Sequence, residues 1–382
     1  MRQFMIVLLT VMVAGCSVSK QLTDGHLAYN EAVRIASDQE ILLNIVRLRY
    51  LEPMEFLAIT SINSTVSFSA SLDVTAGRID GGSSYGGEAT AGYSNSPTFS
   101  FVPQRGSDFS ARLTKPLNLE ALIFLATSRR DVHTVFRLFV TWLNGLNNHE
   151  GLVDPGFIDV TRQLTELQYQ GEAIFGFLEQ ERVVSPLIPP ANLTPEQIIE
   201  AYQAGLNIQK QANGDELRFS VTERQAMLNF DPHSGDVEGI LAALKLDSGL
   251  GQVPIALEAE LSEDIDKGTL ALRTRSLLHT LSFLSQGIDV PEKDISSGVA
   301  SWPWPHNSVQ PVPMDDIFRV RYSDEEPEAA SLAVKYGDGW FFIREDDAVT
   351  KRTFLLISDA FRFALESNAK DAPTLTIPVG GG

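Results

Sequence analysis

Two hydrophobic periods succeed one another along this chain. Over residues 30–53, "NEAVRIASDQEILLNIVRLRYLEP", Ala32, Ile35, Ile41, Leu42, Ile45, Val46 and Leu48 recur at helical spacing until Pro53 closes the run. The period then drops from 3.6 to 2. From Ile62 to Ala76 the even positions are Ile62, Ser64, Val66, Phe68, Ala70, Leu72, Val74 and Ala76, and every odd position is polar. After the turn-rich "GRIDGGSSYGG" the alternation resumes on odd positions: Ala89, Ala91, Tyr93, Asn95, Pro97, Phe99 and Phe101. A two-residue turn at Gly82-Ser83 suits type II′ geometry, because glycine accepts positive φ at the first central position. Such a turn pairs Val74 with Ala91, Leu72 with Tyr93 and Val66 with Phe99, which lays both apolar rows on one face.

The predicted object is a long β-hairpin over 62–102. Each arm has about 15 residues and a length of roughly 50 Å, more than the roughly 9 to 11 residues that cross an outer membrane at a tilt. A lone hairpin cannot enter hydrocarbon, because its outer edges leave backbone groups unpaired, but several copies can close a barrel. In that arrangement Val66, Phe68, Leu72, Val74, Tyr93, Phe99 and Phe101 face lipid or a partner, and the Ser/Thr row faces water. Against it, Pro97 removes a ladder donor, and the alanines with Asn95 weaken the apolar row. A dimerisation arm, or a hairpin folded onto the protein's own core, accounts for the same alternation.

Further on, Asn118 or Leu119 to Thr127 predicts a helix, and Val132 to Asn144 a second, with Asp131 as N-cap and Gly145 as C-cap. A third is predicted over about Gly156 to Arg182, and a fourth from "TPEQ", where Thr194, Pro195 and Gln197 compose a capping box. Strands and helices then mix. A hairpin turns at Asn213-Gly214, and a helix covers Asp236 to Lys245. A strand at Thr269 to Thr274 leads to a helix from Ser276 to Ser285. Strands at Ile317 to Tyr322 and Ser331 to Tyr336 lead through Gly337-Asp338-Gly339 to "WFFI". A helix over Ala348 to Glu366 and a strand, "TLTIPV", finish the chain. In the proline-rich loop 296–313, Trp302 and Trp304 either pin the loop to the body or recognise a partner. Without a βαβ rhythm the fold class is α+β. The chain divides into 1–15, 16–29, a helix plus hairpin over 30–110, a helical region over 111–203 and an α+β domain over 204–382.

The first sixteen residues supply the address. Arg2 and the apolar run Phe4 to Val13 form a secretory signal too short to span a bilayer. It ends in Val13-Ala14-Gly15-Cys16, which resembles the lipobox of bacterial lipoproteins, with cleavage after Gly15 and a lipid on Cys16. Cys16 is the single cysteine, which excludes intrachain disulfides. Ser17, where aspartate would favour inner-membrane retention in such lipoproteins, points to the outer membrane, with the body facing the periplasm or the cell surface. A net charge of −19 gives no footprint for nucleic acid.

Chemistry is sparse. The six histidines, at 26, 133, 149, 233, 279 and 306, form no i, i+4 pair, so no metal or cofactor site is expected. Gly82-Ser83-Ser84-Tyr85-Gly86 spells G-x-S-x-G, but that motif needs a strand feeding a helix. Asp264 to Gly268 matches part of a calcium loop without its downstream glutamate. Asp346 and Asp347 sit where a helix N-terminus favours acids, beside Lys351 and Arg352. Arg47 and Arg49 end a mostly apolar helix, a place where arginines pair with acids.

The stretches "LLNIVRLRYLEPMEFLAITSI", "YSNSPTFSFVPQRGSDF", "FRLFVTWLNGLNN", "RTRSLLHTLSFLSQGIDVP", "GWFFIREDDAVTKRTFLLISDAF" and "PTLTIPVG" resemble a family of uncharacterised proteobacterial outer-membrane lipoproteins. The resemblance covers most of the chain after Cys16 and implies an envelope role, with no activity or catalytic residues to carry over. The expectation is a non-enzymatic, lipid-anchored homo-oligomer assembled through the hairpin, as a pore or export conduit, with other envelope proteins as further partners. The alternatives are a monomeric periplasmic binding or scaffolding lipoprotein and, at a distance, a hydrolase.

Overall fold

The change of period at Pro53 is a change of element. The computed structural model describes residues 27, 29–79, 82–129, 131–149, 152–210, 216–231, 235–258, 266–301, 314, 316–365 and 375–378. The expected signal peptide, Gly15, Cys16, Trp302, Trp304 and the turn at Asn213-Gly214 lie outside them. A helix, α1, covers 29–49. Strands β1 (Leu57–Ile79) and β2 (Gly82–Pro103) follow, then helices α2 (Ser107–Thr114), α3 (Leu119–Arg129) and α4 (Val132–Phe139). Next come β3 (Val140–Leu143), β4 (Leu146–His149), β5 (Leu152–Val153), α5 (Pro155–Gln170), β6 (Ala173–Val183), α6 (Pro195–Gln203), β7 (Leu206–Lys210) and β8 (Leu217–Phe230). The remainder is α7 (Val237–Ala243), β9 (Gln252–Leu257), β10 (Leu270–Thr274), α8 (Leu277–Ser285), α9 (Glu292–Ser296), β11 (Arg321–Ser323), β12 (Ala330–Tyr336), β13 (Gly339–Arg344), α10 (Ala348–Leu365) and β14 (Leu375–Pro378). The class is α+β.

The chain forms two compact units, 1–52 with 114–360, and 53–113 with 361–382. In the first, an eight-stranded sheet runs in the order β5-β4-β3-β10-β9-β8-β6, with β7 also on β8. Residues 111–203 and 204–382, distinct by composition, therefore share one sheet. Helices α3 and α5 pack on β6, and α4 packs on α5 and α8. Their apolar stripes supply Leu122, Val135, Phe136, Phe139, Phe157 and Leu164, all fully buried. A smaller sheet, β11-β13-β12, completes this unit.

Two expected helices differ. The helix over Val132 to Asn144 stops at Phe139, because Val140, Thr141 and Trp142 favour extended backbone, and Val140, Trp142 and Leu143 pair with β10. Asn144 and Gly145, at φ 42° and 93°, form the turn that pairs Leu143 with Leu146, so Gly145 serves a hairpin and caps no helix. The helix over Gly156 to Arg182 ends at Gln170, where Gly171 adopts φ 82° and its amide bonds back to Leu167 and Gln168; "AIFGFLEQERV" is strand β6. The strand expected from Ile317 starts at Arg321, and Gln252–Leu257 adds a further strand, β9. The Thr194–Gln197 capping box is present in both directions.

The junction of α4 with β3 is held by two fully buried arginines. Arg275 Nη1 donates to the carbonyls of Arg137 (2.7 Å), Leu138 (3.0 Å) and Val140 (3.3 Å), and its Nη2 donates to Asn148 O. Arg137 Nη1 donates to Asn148 Oδ1 at 2.5 Å, and the Asn148 amide returns to Val140 O and Arg137 O at 2.6 and 3.0 Å. Both guanidinium groups lie over the Phe283 ring, at 4.2 Å for Arg275 and 5.8 Å for Arg137. The carbonyls a helix leaves open at its C-terminus are thus satisfied from inside the core.

Candidate functional site

The largest departure from an ordinary globular element is the β1–β2 hairpin. Its strands of 23 and 22 residues pair without interruption from Ile79↔Gly82 down to Ile62↔Phe99. The observed partners are Val74↔Gly87, Leu72↔Ala89, Phe68↔Tyr93, Val66↔Asn95 and Ile62↔Phe99, four residues away from the expected register. Asp80 and Gly81 lie outside the described set; because Gly82 and Ser83 are themselves paired, with Ile79 and Arg78, they cannot be the turn. A shift of four preserves parity, so even positions of β1 still pair with odd positions of β2. Gly82 to Gly86 pair with Ile79 to Thr75, so the G-x-S-x-G spelling is continuous strand and lacks the strand-to-helix context of a nucleophile elbow.

The corrected register sorts the rows into bands. Ser64 falls opposite Pro97 and Val66 opposite Asn95, so the interruptions of both apolar rows coincide at one level. Beyond them, Phe68, Ala70, Leu72, Val74 and Ala76 pair with Tyr93, Ala91, Ala89, Gly87 and Tyr85, nine residues along each strand. Aromatic residues mark both ends of this band. Towards the root, a bulge between Ile59 and Ser61 moves the β1 row from even to odd positions and brings Ile59 opposite Phe101.

The root is well anchored within its unit. Phe56 stacks on Phe361 at 5.3 Å and meets Phe109 edge-on at 5.8 Å. Gln104 N donates to Phe56 O at 2.8 Å, Arg105 grips Glu55 at 2.9 and 3.0 Å, and Val102 is buried. Phe101 is half-buried. Strand β14 pairs with β2 only from Thr98 to Phe101, which makes a three-stranded sheet β1-β2-β14. Among the described residues no strand pairs with the outer edge of β1, nor with β2 from Gly82 to Pro97.

The other sequence candidates resolve into local structure. Arg344 holds Asp346 at 2.6 and 2.8 Å and keeps its carboxyl below the usual range. Asp347 caps α10, accepting from Thr350 N at 2.9 Å and Thr350 Oγ1 at 2.7 Å. Lys351 reaches Glu345, and Arg352 reaches Asp131 at 3.5 Å. Asp266 accepts from Thr269 Oγ1 and Gly268 N, a closed turn whose hydrogen bonds lower its pKa. Among the described residues no group of three histidine, cysteine or acidic side chains could hold a metal. Histidines 26, 233 and 306 lie outside that set.

Two polar clusters escaped the sequence pattern. Thr161 Oγ1 donates to Phe157 O at 2.8 Å and lies 2.8 Å from His133 Nδ1. His133 Nε2 then stands 3.8 Å from Asp316 Oδ2, which also takes Arg162 at 3.1 Å. Burial pushes Asp316 up, but the His133 contact and the charges of Arg137, His133 and Arg162 outweigh it and lower its pKa. The second cluster surrounds Arg49, expected to pair with acids, yet its Nε and Nη1 are buried without hydrogen-bond partners. Compared with known proteins, the chain matches no family model, no curated protein and no solved structure.

Proposed function

We propose that this chain is a non-enzymatic, lipid-anchored outer-membrane protein of the cell envelope, whose hairpins join edge to edge between copies to line a pore or export conduit. The observation that carries the proposal is the length of unpaired backbone edge. Sixteen residues of β2, Gly82 to Pro97, and the whole outer side of β1 have no strand partner among the described residues. At about 3.3 Å per residue the β2 edge alone is about 53 Å long. Such an edge templates pairing with another chain, and a ring of identical hairpins satisfies every edge at once.

The banding supports the membrane part of the proposal. Nine residues per strand, 68–76 and 85–93, match the roughly 9 to 11 that span a bilayer at a tilt, and Phe68, Tyr93 and Tyr85 sit where barrels carry aromatic girdles. The opposite row, in which Asp73 pairs with Glu88, then lines the lumen. The lipobox ending at Cys16 supplies the tether, each buried methylene of its acyl chains contributing about 0.8 kcal/mol.

The register also dictates the test. Replacing residues 64–97 by Asn-Gly closes a two-residue hairpin on the Asn63↔Thr98 pair and leaves β14 its partners from Thr98 to Phe101. Sedimentation of detergent-extracted protein should give a discrete oligomer for the full chain and a folded monomer for the shortened one. A full chain that sediments as a monomer contradicts the proposal and favours a monomeric periplasmic scaffold.

A further inference from the structure

A pocket of about 510 Å³ lies beside the end of β13, within the roughly 300–1,000 Å³ of small-molecule sites. Parity along the strand builds one side of it. Phe341 and Ile343 are buried, so Trp340, Phe342 and Arg344 turn to the opposite face of the small sheet. On β12, Ala330 pairs with Arg344 but Leu332 with Ile343, so Ser331 is the extra residue of a bulge that bends the start of the strand. The chain just before it is held there by the bond from Glu345 N to Ala329 O at 3.4 Å. Phe342, Pro327 and Ala329 give the pocket its apolar lining.

The charges that line the pocket do not cancel. Arg344 is taken by Asp346 at 2.6 and 2.8 Å, and Glu345 by Lys351 Nζ at 3.4 Å. Glu328, the remaining lining charge, is exposed and has no ion pair or hydrogen bond among the described residues. Two cations stand near without lining the pocket: Arg321, opposite Phe342 on β11, reaches Asp289 at 3.4 Å, and Lys335 lies one pair further along, opposite Trp340. One uncompensated carboxylate therefore stands beside an aromatic ring and apolar walls. That combination suits a cation with an apolar body, because the carboxylate takes the charge and the negative face of the ring attracts it too. An anion would meet only Arg344, which Asp346 already holds.

We propose that this pocket binds an organic amine in its charged form, an ammonium group on an apolar stem, either a free amine or the lysine side chain of another protein.

The test is ligand-observed NMR on the full lipidated chain in uncharged detergent, titrated with n-butylammonium. The expected result is saturable binding that the neutral analogue N-butylacetamide does not show. Glu328→Gln should weaken butylammonium about five-fold, as loss of a solvent-exposed ion pair does at most. It barely alters the net charge of −19, so general adsorption to an acidic surface does not register it. Ala329→Leu, also at an exposed position, fills the pocket at constant charge and should abolish binding. Nα-acetyl-lysine methylamide distinguishes the sources: tighter binding than butylammonium identifies a lysine side chain, and weaker binding a free amine. The absence of saturable binding overturns the proposal, as does binding that either substitution leaves unchanged.

Discussion

Replacing Arg275 by methionine removes the clamp at the end of α4. Asn148 also donates to the Arg137 and Val140 carbonyls, so those two keep a partner, while Leu138 O and Asn148 O lose the guanidinium. Each buried carbonyl left without its donor costs about 1–3 kcal/mol. The lost stacking on Phe283, 4.2 Å away, adds about 1 kcal/mol. Against this, methionine removes a buried charge whose desolvation opposed folding, which returns part of the loss. The balance is a destabilisation of about 4 kcal/mol, within the range of about 3–5 for breaking a buried charged network on one side. At about 2–4 °C per kcal/mol the melting temperature falls by roughly 10 °C. Urea unfolding followed by far-UV circular dichroism measures the change, with Arg275→Lys as an intermediate case, since one ammonium cannot reach four carbonyls. A loss below about 1 kcal/mol would refute the argument, because it would mean that desolvation cancels the clamp.

Asp316 gives a pH signature. Its folded pKa is lowered, so its contribution to stability is fully present above the unfolded value of about 3.9 and is lost as pH falls through the folded value. Asp316→Asn should therefore flatten the acid limb of a plot of melting temperature against pH; an unchanged limb would contradict the His133–Asp316–Arg162 network. At Gly287 a Cβ would collide with the Phe318 carbonyl oxygen and approach the Phe318 ring at 3.2 Å. Gly287→Ala should cost about 1–3 kcal/mol in urea unfolding, and a neutral result would refute that close approach.

Local chemistry made part of this fold legible. The switch of period at Pro53, the Thr194 capping box and the parity of the two apolar rows all follow from neighbours a few residues apart. Register was not legible to the same degree, because a period of two is satisfied equally by shifts of two or four residues. A turn at Gly82-Ser83 displaces every partner by four residues and hides the coincidence of Ser64 and Val66 with Pro97 and Asn95. Val140 to Leu143 continue an apolar stripe that a helix explains as well as a strand, and only pairing with β10, some 130 residues away, decides between them. Arg137 and Arg275 are read by type as surface residues. Their burial depends on carbonyls and a ring assembled from three distant segments. Arg49 fails in the opposite sense: expected beside acids, it is buried with Nε and Nη1 free of hydrogen-bond partners.

The proposed assembly requires edge pairing between copies, and amide hydrogen exchange resolved to single residues measures it directly. In an isolated two-stranded ribbon, every second amide of β1 points away from β2 and exchanges freely. In the assembled, lipidated protein, consecutive amides from Val66 to Ala76 should all be slow, and alternate ones should speed up when the oligomer is dissociated. A strict fast–slow alternation in the intact preparation, unchanged on dilution, would contradict pairing between hairpins.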